Sequence, residues 1–299
     1  MSTPISRRRW YAKKLLRAGC AALHWPTAVG GLPGTGPVRA LTYHAFGDQL
    51  RDPFCVRAAD FDRHMAWVAE HGLAVTLADV EAFLAGKKPL VPGSVLVTID
   101  DGVASVHTAA LPVIKRYCIP AVIYLTVGLI EPQRHAAPRM AGGHVYLNRR
   151  QLEDLVDAGI EIGSHAYTHR SLASLAEHEA LDEACRSRDR LEAWLGRRVV
   201  SFAYPFGTRA DFSPATARVL SQAGYRTACT SQHGALRPGL DPLSLPRNKV
   251  EGGEPQWMFR ALCQGALDKW RWVDHALWRM QQAGKRPTEP AQMPADSDP

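Results

Sequence analysis
Two places in the chain bring together side chains that are costly to keep as neighbours. The apolar, β-branched run Val95-Leu96-Val97-Thr98-Ile99 reads as a buried strand and leads straight into Asp100-Asp101-Gly102. A turn accounts for an Asp-Gly pair, but a second carboxylate beside it repels the first unless a metal ion or a proton offsets the charge. Farther along, Ile160-Glu161-Ile162-Gly163 leads into Ser164-His165-Ala166-Tyr167-Thr168-His169. Histidines at i and i+4 can project from one side of a helical turn and share a metal. Two imidazoles and one carboxylate form a facial set with positions open for water and substrate. Zinc accepts that set in hydrolases, and manganese, cobalt or nickel are compatible with it.

Three further positions belong with these. Phe202-Ala203 leads into Tyr204-Pro205-Phe206-Gly207, a turn in which a backbone N–H could stabilise an oxyanion. Leu41-Thr42-Tyr43 ends in His44, a proton-donor candidate because imidazole titrates near neutrality. Arg247 ends the late strand-like run Ser244-Leu245-Pro246-Arg247-Asn248.

Positioning these groups requires a scaffold with many strand ends on one face. Strand-like runs at Val38–Tyr43, Ser94–Ile99, Ala121–Thr126, Ile160–Gly163, Val199–Ala203 and Tyr225–Thr230 alternate with helical patterns. The helical patterns fall near Ala59–His71, Ser105–Tyr117, Arg149–Ala158, Glu177–Leu195 and Ser213–Ala223. Unbroken strand–helix alternation implies a parallel sheet closed into a barrel, with catalytic groups at the C-terminal ends of the strands. Residues 37–252 make that α/β barrel. Residues 1–36 read as a basic leader and flexible connector, 253–283 as a Trp-rich helical extension packed back on the barrel, and 284–299 as a disordered tail.

Composition sets limits. The 299 residues are 46% hydrophobic and 22% charged, which fits a folded domain, and no apolar run has the ~18 residues of a membrane span. The net charge is +7, and Arg7, Arg8, Arg9, Lys13, Lys14 and Arg17 supply six of those charges without a single acid among the first seventeen residues. A basic, nucleic-acid-binding patch on the body is therefore not expected. The leader is either solvated or in weak contact with a membrane surface. Its apolar stretch is broken by Arg17 and His24, a poor secretory signal, and the six cysteines are scattered as thiols would be. A cytoplasmic or inner-face location is favoured.

Taken together, Thr98-Ile99-Asp100-Asp101-Gly102, Ser164 to His169, and Tyr204-Pro205-Phe206-Gly207 resemble the first three motifs of the polysaccharide deacetylases with a NodB homology domain, carbohydrate esterase family four. The likeness covers residues 36–250. The opening Leu41-Thr42-Tyr43-His44 is similar to the branch that deacetylates poly-N-acetylglucosamine. The resemblance implies a distorted (β/α)7 TIM-like barrel that removes N-acetyl groups from an amino-sugar glycan or glycoconjugate. It implies that Asp101, His165 and His169 bind a divalent metal, most simply zinc, and that Asp100 is the general base. A backbone N–H at Tyr204 would stabilise the oxyanion, and His44 would protonate the leaving amine. Two departures stand out. The family's late histidine after a leucine has no match in His233 or His275, and Ala203 occupies the place of the arginine that holds the base, a charge Arg247 can supply from another strand. O-acetyl ester hydrolysis, N-acyl hydrolysis of a lipid-linked or small substrate, and a non-catalytic carbohydrate-binding relic are the alternatives. The loop Glu131–Val145, with Arg134, His135, Arg139 and His144, is expected to set specificity.

Overall fold
The computed structural model describes residues 6–28, 38–48, 51–130 and 144–273. Seven parallel strands form one sheet in the order β8-β7-β6-β5-β4-β1-β9. They are β1 (Arg39–Tyr43), β4 (Val95–Ile99), β5 (Ala121–Leu125), β6 (Glu161–Ser164), β7 (Ser201–Ala203), β8 (Thr227–Cys229) and β9 (Arg247–Lys249). A two-stranded pair, β2 (Ala45–Phe46) and β3 (Cys55–Val56), sits beyond the end of β1. The seam between β8 and β9 closes because one segment serves both edges. Leu245 bridges Cys229 in parallel, and two residues later the same chain pairs with β1 through Arg247 opposite Ala40. The result is the distorted (β/α)7 barrel expected from the alternation.

Both faces of the sheet are buried, as a parallel sheet requires. Inside the ring, Ala40, Leu96, Val122, Tyr124, Ala203, Cys229 and Leu245 form one cluster. Outside it, Leu41, Val97, Ile99, Ile123 and Ile162 pack under the helices. Gly163 on β6 is required by the interior, since a Cβ there would lie 2.5 Å from the Tyr124 ring. The helical layer comprises α2 (Ala58–Glu70), α3 (Leu77–Leu84), α4 (Leu111–Tyr117), α5 (Arg149–Asp157), α6 (Glu177–Leu195), α7 (Pro214–Gln222) and α8 (Gln256–Cys263). The alternation pattern lacks α3, although Thr76 and Asp79 cap it reciprocally and announce it in the sequence.

The N-terminal segment departs from a solvated leader. Residues Arg7–Ala28 form helix α1, and three of its cations, Lys13, Lys14 and Arg17, turn inward onto two buried acids that follow β9. Arg17, fully buried, donates from Nε to Glu254 at 2.6 Å and lies 3.6 Å from Glu251. Lys14 reaches both acids at 3.0 and 3.3 Å, and Lys13 reaches Glu251 at 2.6 Å. The physical reason is charge balance: a buried carboxylate is tolerated only when paired. Burial would raise the Glu251 pKa, but Arg17, Lys13 and Lys14 hold it well below the usual carboxylate range. At the other end, Trp270 is buried over Arg17 and Trp257 packs on the core, while Trp272 is exposed. Trp278 and the tail from residue 284 lie outside the described residues. All six cysteines are free thiols.

Arg17→Leu, which leaves Glu254 buried with Lys14 as its remaining cation, should cost about 3 kcal/mol. Lys13→Ala, at a partly exposed end of the network, should cost less than about 1 kcal/mol. Denaturant midpoints compare the two; equal, small losses would mean α1 contributes nothing to the folded body.

Candidate active site
The end of β4 delivers both carboxylates to the C-terminal mouth of the barrel. Asp100 N–H still donates to Tyr43 at 2.9 Å, which keeps it in the sheet, and the chain then turns sharply with Asp101 at φ 72° and Gly102 at φ 77°. A side chain at Gly102 would meet Leu125 at 2.8 Å, so the turn needs glycine on both steric and conformational grounds. Asp100 and Asp101 are 2% and 3% exposed. Two buried neighbouring carboxylates each need a positive partner, and they find different ones.

Asp100 is held by Arg247. Nη1 and Nη2 donate to its two oxygens at 2.7 Å each, in the bidentate arrangement that makes arginine–carboxylate pairs strong. Arg247 is fully buried and fixed on its other sides: Nε donates to Thr230 O at 2.9 Å, Nη1 to Thr98 Oγ1 at 3.0 Å, and the guanidinium lies 5.4 Å from the Tyr124 ring centre. Burial alone would raise the Asp100 pKa, yet the Arg247 charge, aided by His165, brings it below the ordinary value. The missing charge at Ala203 is thus supplied from β9.

Asp101 faces the two histidines. Its Oδ1 lies 3.4 Å from His165 Nε2 and 3.4 Å from His169 Nε2, and one ligand atom from each residue falls within 4.8 Å of the others. The donor set fits a cation. His165 Nδ1 is 2.7 Å from Ala203 O, so an N–H resides there and Nε2 is the nitrogen turned toward the carboxylate. That pairing of Nε2 with a carboxylate oxygen calls for a shared proton or a cation between them.

The histidines do not converge through a helical turn. Residues 165–170 are an irregular loop, and Ala166 and His169 adopt φ of 63° and 65°. What folds the loop is Glu183 of α6, which is buried and accepts from Tyr167 N at 3.0 Å, Thr168 N at 2.8 Å and Thr168 Oγ1 at 2.5 Å. An acid on the inward stripe Ala180, Glu183, Ala184, Ser187, Leu191 is the signal that could have found it. Four of the six left-handed residues that are not glycine among the described residues (Asp101, Ala166, His169, Phe206) gather around this one site, as strain does at functional centres.

The third motif corrects an expectation. Tyr204 N–H donates to Cys229 O at 3.0 Å in the β7–β8 ladder, and its hydroxyl donates to Leu243 O at 3.0 Å. Its amide is spent on the sheet and is not an oxyanion donor. Pro205 and Gly207 close the turn through Gly207 N–H to Pro205 O at 2.7 Å. That turn sets Phe206, half-exposed, edge-on to His169 at 4.8 Å between ring centres. His44 is half-buried beside Phe54, with ring centres 4.8 Å apart, and its Nδ1 has no partner among the described residues. Burial pushes its pKa down to about 4 against the pull of Asp101 and Asp100. Tyr146 joins the site unannounced: the pairing of Val103 with Tyr146 brings it near Asp101, and burial followed by that charge raises its hydroxyl pKa. His233 is buried behind Lys249, whose N–H donates to its Nε2 at 3.4 Å. Of the expected specificity loop, His144 and Val145 are described; Arg134, His135 and Arg139 lie outside the described residues, as does His275. A groove of about 630 Å³ lined by Arg209, Phe212 and Trp272 contains none of these site residues.

Residues 87–228 match the family model for polysaccharide deacetylases. That stretch of the barrel is similar to the polysaccharide deacetylase domain. Its class is the hydrolases acting on amide bonds. YxkH of Bacillus subtilis, a polysaccharide deacetylase by name, is 27% identical over 217 residues, 71% of each chain. The poly-β-1,6-N-acetyl-D-glucosamine N-deacetylase of Staphylococcus epidermidis is 24% identical over 205 residues, 65% of this chain and 67% of that protein. The solved structure of IcaB from Ammonifex degensii superposes with a TM-score of 0.65 at 26% identity, covering 79% of this chain and 99% of that one.

Glu183→Ala should lower divalent-cation affinity about 10–100-fold while leaving the circular dichroism spectrum intact. Glu183→Gln should fall between it and the parent protein. Competition with a chromophoric chelator measures both; unchanged affinity would show that the loop holds its histidines without Glu183.

Proposed function
We propose that this chain is a divalent-metal-dependent N-deacetylase of an amino-sugar polymer or glycoconjugate, releasing acetate and leaving a free amine. The single observation that carries this is the separation of the two carboxylates: Asp100 is saturated by Arg247, while Asp101 faces Nε2 of two histidines at 3.4 Å each. Asp101, His165 and His169 would hold the ion, which when bound supplies Lewis-acid polarisation of the acetyl carbonyl and a more acidic water. Zinc fits the donors best, with cobalt, nickel and manganese as compatible ions.

Asp100 takes the proton from the attacking water. Arg247 fixes the plane of its carboxylate and keeps it ionised at neutral pH. His44, beside both aspartates and not committed to the cation, is the candidate to hand a proton to the leaving amine; neutral at rest, with burial pushing its pKa down to about 4, it would first have to take up the proton that Asp100 removes from the water. An amine leaves poorly without one, so such a donor contributes on the order of 10²–10⁴-fold. Phe206 offers an apolar face next to His169 for the acetyl group or the sugar ring. The names of the relatives favour an N-acetylglucosamine polymer as the substrate class.

Acetate release from N-acetylglucosamine oligomers should stop with chelator and return with zinc or cobalt. Asp101→Ala and His165→Ala should lose metal and activity together; Asp100→Asn should keep metal and lose about 10²–10⁴ in kcat. Metal retained by Asp101→Ala would refute the ligand set.

The base and the acid have distinct signatures. Without Arg247 the Asp100 pKa rises, so Arg247→Met should move the acidic limb of the kcat/KM profile to higher pH, and Arg247→Lys should move it less. His44→Ala should cost about 10²-fold or more on the amide. On an aryl acetate, whose phenolate needs no proton to leave, it should cost far less. Equal losses on both substrates would take the donor role away from His44.

A further inference from the structure
Helix α1 is amphipathic in the reverse of the usual sense. Lys13, Lys14 and Arg17 face the body, where Glu251 and Glu254 neutralise them. The opposite face carries Tyr11, Leu15, Leu16 and Leu23, at 54%, 73%, 48% and 75% exposure. At 100° per residue, Tyr11, Leu15 and Leu23 lie on one stripe with Ala12, Gly19 and Ala22, and Leu16 borders it. The first turn adds Arg7, Arg8 and Arg9, all exposed, and the helix contains no acid.

The helix is anchored at the catalytic end of the barrel. Glu251 and Glu254 follow the C-terminal end of β9, and Val250 N–H donates to Thr42 O at 3.1 Å. Lys249 Nζ lies 4.8 Å from the Phe54 ring centre, and Phe54 in turn packs on His44. Helix α1 is therefore anchored to the segment that leaves the catalytic end of the barrel.

We propose that α1 lies in the interface of an anionic lipid bilayer, its leucine stripe in the acyl boundary and its arginine turn on the headgroups. Apolar area together with adjacent basic charge is what holds an interfacial helix, and charge complementarity names the occupant. Among the described residues no helix is long and apolar enough to cross a membrane, so contact here means lying on the surface. The ion pairs with Glu251 and Glu254 fix the helix to the body, so the bilayer would hold the cleft close to itself. This inference is independent of the chemistry assigned to the site.

The test is flotation of the full chain with phosphatidylcholine vesicles and with mixed phosphatidylcholine–phosphatidylglycerol vesicles. The parent protein should float with the anionic vesicles and much less with the neutral ones. Leu15→Glu combined with Leu23→Glu should weaken binding by about tenfold or more, and replacing Arg7, Arg8 and Arg9 by Ala should weaken it and flatten its salt dependence. Neither variant should change acetate release from a soluble oligosaccharide. A parent protein that stays in the soluble fraction would overturn the proposal, as would leucine variants that float equally well. So would a dimer in sedimentation that the leucine variants split while flotation stays unchanged, which would make the stripe a contact between copies.

Discussion
The site depends on keeping two adjacent carboxylates apart in their partners although they are joined in sequence. Asp100 and Asp101 share a peptide bond and a buried environment, so their mutual repulsion must be met twice. The left-handed turn at Asp101 is the device: it sends one side chain inward to Arg247 and the other toward His165 and His169. A β4 end with both acids on one cation would have no separate base.

The rest of the barrel serves that division. Arg247 arrives from β9, its guanidinium carried by Thr98 and Thr230 and lying over the Tyr124 ring. Gly163 makes room for that ring. His165 is oriented by the Ala203 carbonyl at the end of β7, and the loop through His169 by Glu183 on α6. Five strands (β4, β5, β6, β7 and β9) and one helix thus hold two carboxylates and two imidazoles, which is why the closure of the ring at the β8–β9 seam matters to chemistry as well as to stability.

Much of this was legible in the sequence, for a physical reason. Buried parallel strands are continuous apolar runs, so the polar residues at their ends stand out: Asp100, Asp101 and His165 follow directly on β4 and β6, with His169 in the loop beyond, whereas Arg247, read as ending a strand-like run, instead opens β9. What was not legible depends on the fold closing. The i,i+4 spacing of the histidines suggested a helical turn, whereas a loop shaped by Glu183, far along the chain, brings them together. The amide of Tyr204 looked available until its strand found β8. The basic start read as either solvated or in weak contact with a membrane surface because its acids, Glu251 and Glu254, are more than two hundred residues away, and a helix that buries charge and exposes leucine reads the same as one that does the opposite.

The central claim is a single cation between Asp101, His165 and His169, beside an Asp100 already satisfied by Arg247. Anomalous diffraction at the absorption edge of zinc or cobalt, from crystals grown with that ion, tests it directly. The account predicts one peak about 2.0–2.2 Å from a carboxylate oxygen of Asp101 and from Nε2 of both histidines, with the Arg247–Asp100 pair unbroken. A site free of anomalous density at saturating ion, or a peak bound through Asp100 instead, would contradict it.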